Sequence, residues 1–184
     1  MNDRKDSYNK FTDYPELSYN CISYLVNNEE ILWKLLKYTD MNAWKADTSH
    51  PNLTKSQKGA LIYSGQPDET NYRVFMDVGQ DIAWTSECCF IRISPVELNP
   101  TNYVYGNVTM AFEVYSHYKI NHLSNYKTRI EMATQRLIEL FNGEEIDGLG
   151  RLYFDHMANP RCRTVAIGQI PYKGKVTMMC NWSV

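Results

Sequence analysis

Val108, Met110, Phe112, Val114, Tyr118 and Ile120 recur at even spacing, with Asn107, Thr109, Glu113, His117 and Lys119 between them. A period of two puts one set on the buried face of a strand and the other on its opposite face. The spacing therefore predicts one long strand from Tyr103 to Ile120. Cys89, Ile91 and Ile93 alternate in the same way and predict a strand before it, and Tyr72, Val74, Met76 and Val78 an earlier one. Pro95 and the Asn99–Pro100 pair are expected to break the middle strand and open a loop to about Asn102. After Ile120 the period becomes helical. Tyr126, Ile130, Ala133, Leu137, Leu140 and Phe141 share one stripe, with Ser124 or Asn125 as the cap and Gly143 as the stop. Leu149–Asp155 reads as a short strand, and Thr164–Ile170 with Lys175–Trp182 as a hairpin turning around Pro171–Gly174.

The first half of the chain is helical in pattern. Asp13 is placed to cap a helix opening near Pro15, with Leu17, Cys21 and Leu25 on one stripe. Asn27 and Glu30 have capping-box spacing, which predicts a break or a second start. Ile31, Leu32, Leu35 and Leu36 carry an apolar face on to about Tyr38. Residues 39–54 read as a loop containing Trp44, and Thr54 and Gln57 as a capping box for a short helix near Ser56–Tyr63. Residues 1–14 hold Tyr8, Phe11 and Tyr14 on a polar background, too little apolar surface to pack alone. They are read as an N-terminal arm, and residues 15–184 as a single α+β domain.

Composition narrows the function. The 184 residues carry 19 basic and 21 acidic side chains, a net charge of −2, which lacks the basic footprint of a protein that grips nucleic acid through its phosphates. Fourteen tyrosines suit half-buried surfaces and subunit contacts. Tyr8, Phe11, Tyr14, Trp44, Tyr103 and Tyr105 are the aromatic positions expected at such a contact. The five cysteines are odd in number and form no CxxC pair, so free thiols are expected. The polar N-terminus lacks the apolar run of a signal peptide, and no stretch reaches the roughly 20 apolar residues of a membrane span. An intracellular place of synthesis is expected.

Candidate chemistry is thin. A strand–loop geometry can bring His117 near Cys88 or Cys89 as a thiol–imidazole pair, but a lone strand histidine is more often a surface or half-buried polar residue. Cysteine and histidine spacings match no common zinc pattern. Asp77, Asp81, Glu87, Glu97 and Glu113 are scattered among ordinary surface positions, and His50 and His156 are isolated. Gly143, Gly148 and Gly150 do not make a dinucleotide-binding loop. Lys127, Arg129 and Arg136 are expected on the polar side of their helix. No catalytic residue, metal site or cofactor site is expected.

The order of elements resembles the neck proteins of tailed bacteriophages, the tail-terminator and head–tail connector ring proteins. The resemblance rests on the Phe90-Ile91-Arg92-Ile93 strand, the Pro95 to Pro100 break, the Val108–Ile120 strand and the capped helix Asn125–Gly143. Gly148-Leu149-Gly150 then leads into Leu152-Tyr153-Phe154. It covers residues 72–155 and the first helix, in element order and apolar spacing without a signature sequence. Residues 39–71 and the C-terminal hairpin depart from the simplest members. The resemblance implies a tail-terminator-like antiparallel sheet packed against helices, and no catalytic residues. It also implies a homo-oligomeric ring of six or twelve copies, joined to the portal or to adjacent neck and tail proteins of the virion. DNA would pass through the channel without sequence-specific binding or any membrane contact, and near-neutral charge suits such a wall. The rival readings are a small intracellular homo-oligomeric binding module or host-directed phage factor, and a hydrolase or transferase using the Cys/His set.

Overall fold

The computed structural model describes residues 16–65, 71–76, 87–100, 105–146, 150–154, 163–164 and 172–183. The proposed arm, residues 1–14, lies outside them. Helices α1 (Glu16–Asn28), α2 (Ile31–Lys37) and α3 (Lys55–Gly59) come first, then strands β1 (Val74–Phe75), β2 (Cys89–Pro100) and β3 (Tyr105–Ser116). A 3-10 turn at Tyr118–Ile120 leads to α4 (Arg129–Phe141), followed by β4 (Glu145–Ile146), β5 (Gly150–Phe154), β6 (Arg163–Thr164) and β7 (Tyr172–Ser183). The strands make one mixed sheet in the order β1-β2-β3-β7-β5-β4, with β6 also paired to β7. Of the strand pairs among the described residues, only β1–β2 is parallel. The protein is thus an α+β fold in which a mostly antiparallel sheet packs against several helices.

The period-two pattern does what it predicts along β3: Val108, Met110, Phe112 and Val114 are all fully buried. They meet Cys89, Ile91 and Ile93 of β2, the α1 stripe of Leu17, Cys21 and Leu25, and Ile130, Ala133, Leu137 and Phe141 of α4 in one core. The Phe112 and Phe141 rings lie 4.7 Å apart, joining strand to helix directly. The opposite sheet face carries a second cluster of Tyr72, Phe75, Phe90 and Tyr115. There the cross-strand pair Phe90 and Tyr115 stacks at 4.7 Å.

Several boundaries differ from those the pattern predicts. β3 ends at Ser116, and Tyr118 turns outward in the 3-10 segment although Ile120 stays buried. Pro95 does not end β2, which runs on to Pro100. The paired part of β1 reaches only Ile91 and Arg92, so among the described residues Pro95 lies on a stretch with no strand on its outer edge, where a missing N–H is tolerated. A bulge between Pro95 and Glu97 adds one residue, exposed Val96, and lets even-numbered Leu98 pair with Val108 and pack on the same core as Ile93. β1 is only two residues long. Met76 is exposed beyond it, and Val78 lies outside the described residues. Gly174, expected in a turn, sits within β7 opposite Val114. β6 does pair antiparallel with β7, while the segment joining them lies outside the described residues.

Helix ends show the same mixture. The Thr54–Gln57 capping box forms, although α3 stops at Gly59 rather than near Tyr63. The expected Asn27–Glu30 box does not. Asn27 instead donates back to the Ser23 carbonyl, and buried Glu29 accepts the Leu32 N–H at 2.9 Å to start α2. α4 is capped by neither Ser124 nor Asn125 but by Thr128, whose box with Glu131 is complete. Gly143 does stop it, with φ +87.

Candidate functional site

Three cations sit where charges rarely go, each on backbone carbonyls, and for Lys58 and Arg129 these include the carbonyls of a helix end. Lys58 Nζ donates to the carbonyls of Val26 (2.9 Å) and Glu29 (2.7 Å) after α1, and pairs with Glu30 at 2.8 Å. Arg129 is fully buried, its Nη1 donating to the Leu35 (2.6 Å) and Tyr38 (2.8 Å) carbonyls, its Nη2 to Asp40 (2.9 Å) and its Nε to Ile120 (3.0 Å). Lys34 reaches the Lys45 carbonyl at 3.0 Å. Helix ends leave carbonyls without intrahelical partners, and their partial negative charge favours a cation. Arg129 was expected on the polar side of its helix with Lys127 and Arg136; burial instead pushes its guanidinium below the usual arginine range. Arg136 is half-buried and pairs with Glu29 at 2.7 Å and with Glu139.

These anchors hold the loop after α2 against the segment before α4. The Met41 carbonyl accepts the Ser124 N–H at 2.9 Å, and the Trp44 indole N–H donates to Ser124 Oγ at 3.1 Å. A tight turn follows, with the Tyr126 N–H on the Leu123 carbonyl and the Leu123 N–H on Lys127. Tyr126 takes φ +63, a left-handed conformation uncommon for a bulky residue. Its side chain is wholly exposed, Met41 is 57 % exposed, and Trp44 is half-buried against the core. The loop is closed further on by His50. Its Nδ1 lies 2.9 Å from Asp47 Oδ1 and its Nε2 2.9 Å from Asp40 Oδ2, so this histidine is not isolated.

Of the aromatic positions expected at a subunit contact, Tyr8, Phe11, Tyr14 and Tyr103 lie outside the described residues. Trp44 joins the Met41–Ser124–Tyr126 patch. Tyr105 opens β3 opposite Ser183 of β7, whereas Ser124 follows the other end of that strand. Met41 was not anticipated, although an exposed Met near a loop Trp is a visible cue; Tyr126, expected as the first residue of the α4 stripe, instead lies in the turn before the helix and is wholly exposed.

The thiol–imidazole pair fares differently. The His117 N–H donates to the Cys88 carbonyl at 3.1 Å, while the ring Nδ1 accepts the Lys119 N–H and the ring packs on Tyr118. Cys88 and Cys89 face opposite sides of the sheet, as adjacent strand residues must, each beside a different cluster. Burial raises both thiols, that of Cys89 to about 12. A nucleophilic cysteine needs the reverse shift. Glu87 pairs with Lys119, Glu97 accepts from Asn99 and Glu113 from Tyr115, while Asp77, Asp81 and His156 lie outside the described residues. Among the described residues no three His, Cys, Asp or Glu side chains are placed to hold a metal ion, and no helix is long and apolar enough to cross a membrane.

The YomW family model matches residues 28–165, three quarters of the chain. The chain belongs to the YomW family. The matched stretch holds α2, the loop with His50, the β2–β3 pair and α4, so the Met41–Trp44–Tyr126 patch of this YomW member lies wholly within it. No curated protein and no solved structure matches the chain.

Proposed function

We propose that this YomW-family chain is a non-enzymatic structural component of a tailed-phage neck or tail, forming a homo-oligomeric ring that joins portal to tail around the DNA channel. The observation that carries the reading is the arrangement about β3. This 12-residue strand pairs along its length with β2 and β7, with α4 packed on it and α1 and α2 on β2 beside it. The likeness to tail-terminator and connector proteins rests on this succession of strand, strand and helix, although β2 runs through the Pro95–Pro100 stretch and β3 ends at Ser116. The exposed Met41 and Tyr126 beside Trp44 suit a contact between neighbouring copies, since apolar and aromatic side chains are favoured where subunits meet. Strain at Tyr126 is the kind of local cost that persists where a side chain must be presented outward. Thiols held protonated near neutral pH speak against a cysteine nucleophile.

Native mass spectrometry and negative-stain microscopy of the full chain, alone and mixed with the portal protein of its phage, test the proposal. A closed ring is expected, either from the chain alone or on mixing. A Met41→Ser/Tyr126→Ser variant that stays folded should assemble less. A chain that stays monomeric at every concentration and ignores the portal would overturn the reading.

A further inference from the structure

We propose that His50 is the bolt of a proton-operated latch. With both ring nitrogens protonated it ties Asp40 to Asp47 across the loop, and loss of one proton opens one of these ties and loosens the segment between them, which carries Met41 and Trp44. The geometry requires two donors. Nδ1 faces Asp47 Oδ1 and Nε2 faces Asp40 Oδ2, each at 2.9 Å, and only an imidazolium donates from both nitrogens.

Both carboxylates are committed as acceptors by other bonds. Asp47 Oδ1 also takes the N–H groups of Ser49 and His50, at 3.0 and 2.9 Å, and Asp40 Oδ1 takes the Asn42 N–H at 2.8 Å. The His50 side chain is only 10 % exposed, so water cannot readily replace a lost contact. A neutral ring would turn a lone pair toward one of these carboxylates, and that contact must open.

The surroundings favour the cation. From the loop, Asp40 and Asp47 raise the His50 pKa against a smaller opposing effect of burial, the Asp40 hydrogen bond contributing most. From the end of α2, the Tyr38 ring meets the imidazole edge-on at 5.1 Å, and Lys37 Nζ lies over the Tyr38 ring, 5.4 Å from its centre. From α4, the Arg129 guanidinium holds the Asp40 carbonyl. From within α2, Lys34 holds the Lys45 carbonyl. The two lysines and the arginine oppose protonation of His50, but they contact it only through these intermediaries, whereas both carboxylates touch the ring.

The sign follows from linkage. A histidine whose folded pKa is raised stabilises the closed loop fully below its ordinary value near 6.5, and that stabilisation is lost as pH rises through the folded pKa. Between those two values the open fraction grows by up to about tenfold per pH unit. The partner carboxylates are both lowered, so the latch fails on the acid side only as they protonate, below their ordinary range.

The test uses the full chain with 15N-labelled histidine, titrated by NMR from pH 5 to 9, with His50→Gln assigning the signal among the four histidines. His50 should carry protons on both nitrogens at pH 6.5 and titrate above the ordinary histidine value. Amide exchange of residues 41–50, corrected for the chemical rate, should rise with pH across that window. In His50→Gln it should be fast and flat with pH. Should that variant misfold, Asp47→Asn gives the second reading, with a lower His50 midpoint and an earlier rise in exchange. A neutral single tautomer at pH 6.5, or deprotonation with no change in corrected exchange, would overturn the latch.

Discussion

Replacing Arg129 with methionine tests the central packing claim most directly. The guanidinium is fully buried, and all four acceptors are backbone carbonyls. Methionine of similar length fills the space but donates nothing. The bonds to the Ile120 and Leu35 carbonyls are buried, and each orphaned group costs roughly 1–3 kcal/mol. The bonds to Tyr38 and Asp40 are only partly buried, so those carbonyls can turn to water. Part of this loss is offset, because methionine carries no charge whose desolvation must be compensated. The balance is a destabilisation of about 2–4 kcal/mol, a large share of the roughly 5–15 kcal/mol typical of a domain. Urea unfolding should show the midpoint falling by about 1–2 M at unchanged slope. Arg129→Lys keeps the charge and one or two bonds, and should fall between. A methionine variant as stable as the parent, or more so, would show that these carbonyls do not depend on the guanidinium.

Three further outcomes follow from the packing. Leu137→Ala, at a fully buried site facing the sheet, should cost roughly 2–5 kcal/mol; a melting temperature lowered by about 5–15 °C is expected, and an unchanged one would mean the α4 register is wrong. Gly143→Ala meets no atom within 4 Å, so its cost is the left-handed backbone alone, about 1 kcal/mol; Gly143→Asn should cost less, and equal denaturation midpoints for all three would refute the cap. Cys89, with its thiol raised to about 12, should resist a disulfide reagent at pH 8 until denaturant is added, as followed by peptide mass mapping; modification at the rate of a free thiol would contradict its burial.

What the sequence reveals of this fold depends on whether the cause is local. The face of β3 from Val108 to Val114, the α4 stripe from Ile130 to Phe141 and the Gly143 stop follow from periodicity and backbone preference, and they are present, whereas Tyr126 at the head of that stripe is not part of the helix. The Thr54–Gln57 cap was readable for the same reason, and Thr128–Glu131 has the same spacing a little past Ser124 and Asn125, the polar residues favoured instead. Arg129 could not be placed from its neighbours in sequence. Its burial depends on where the carbonyls of α2 end, some ninety positions earlier. β2 passes Pro95 because the open edge and the bulge at Val96 are properties of pairing, not of the segment. His50 looked isolated because Asp40 and Asp47 become its partners only when the loop closes.

The position of β7 has a consequence for how the chain is made. β3 pairs at once with β2, its neighbour in sequence, but its other edge waits for β7, through contacts from Ser116↔Tyr172 to Tyr105↔Ser183. Such distant pairing is slow, because the intervening loop must be closed before any contact compensates for its entropy. While β7 is still inside the ribosome, the nascent protein holds a formed hairpin with one unpaired edge, the state most open to mispairing with another chain. A pause or truncation before Tyr172 would therefore leave more than a missing edge strand. It would leave the middle of the sheet exposed.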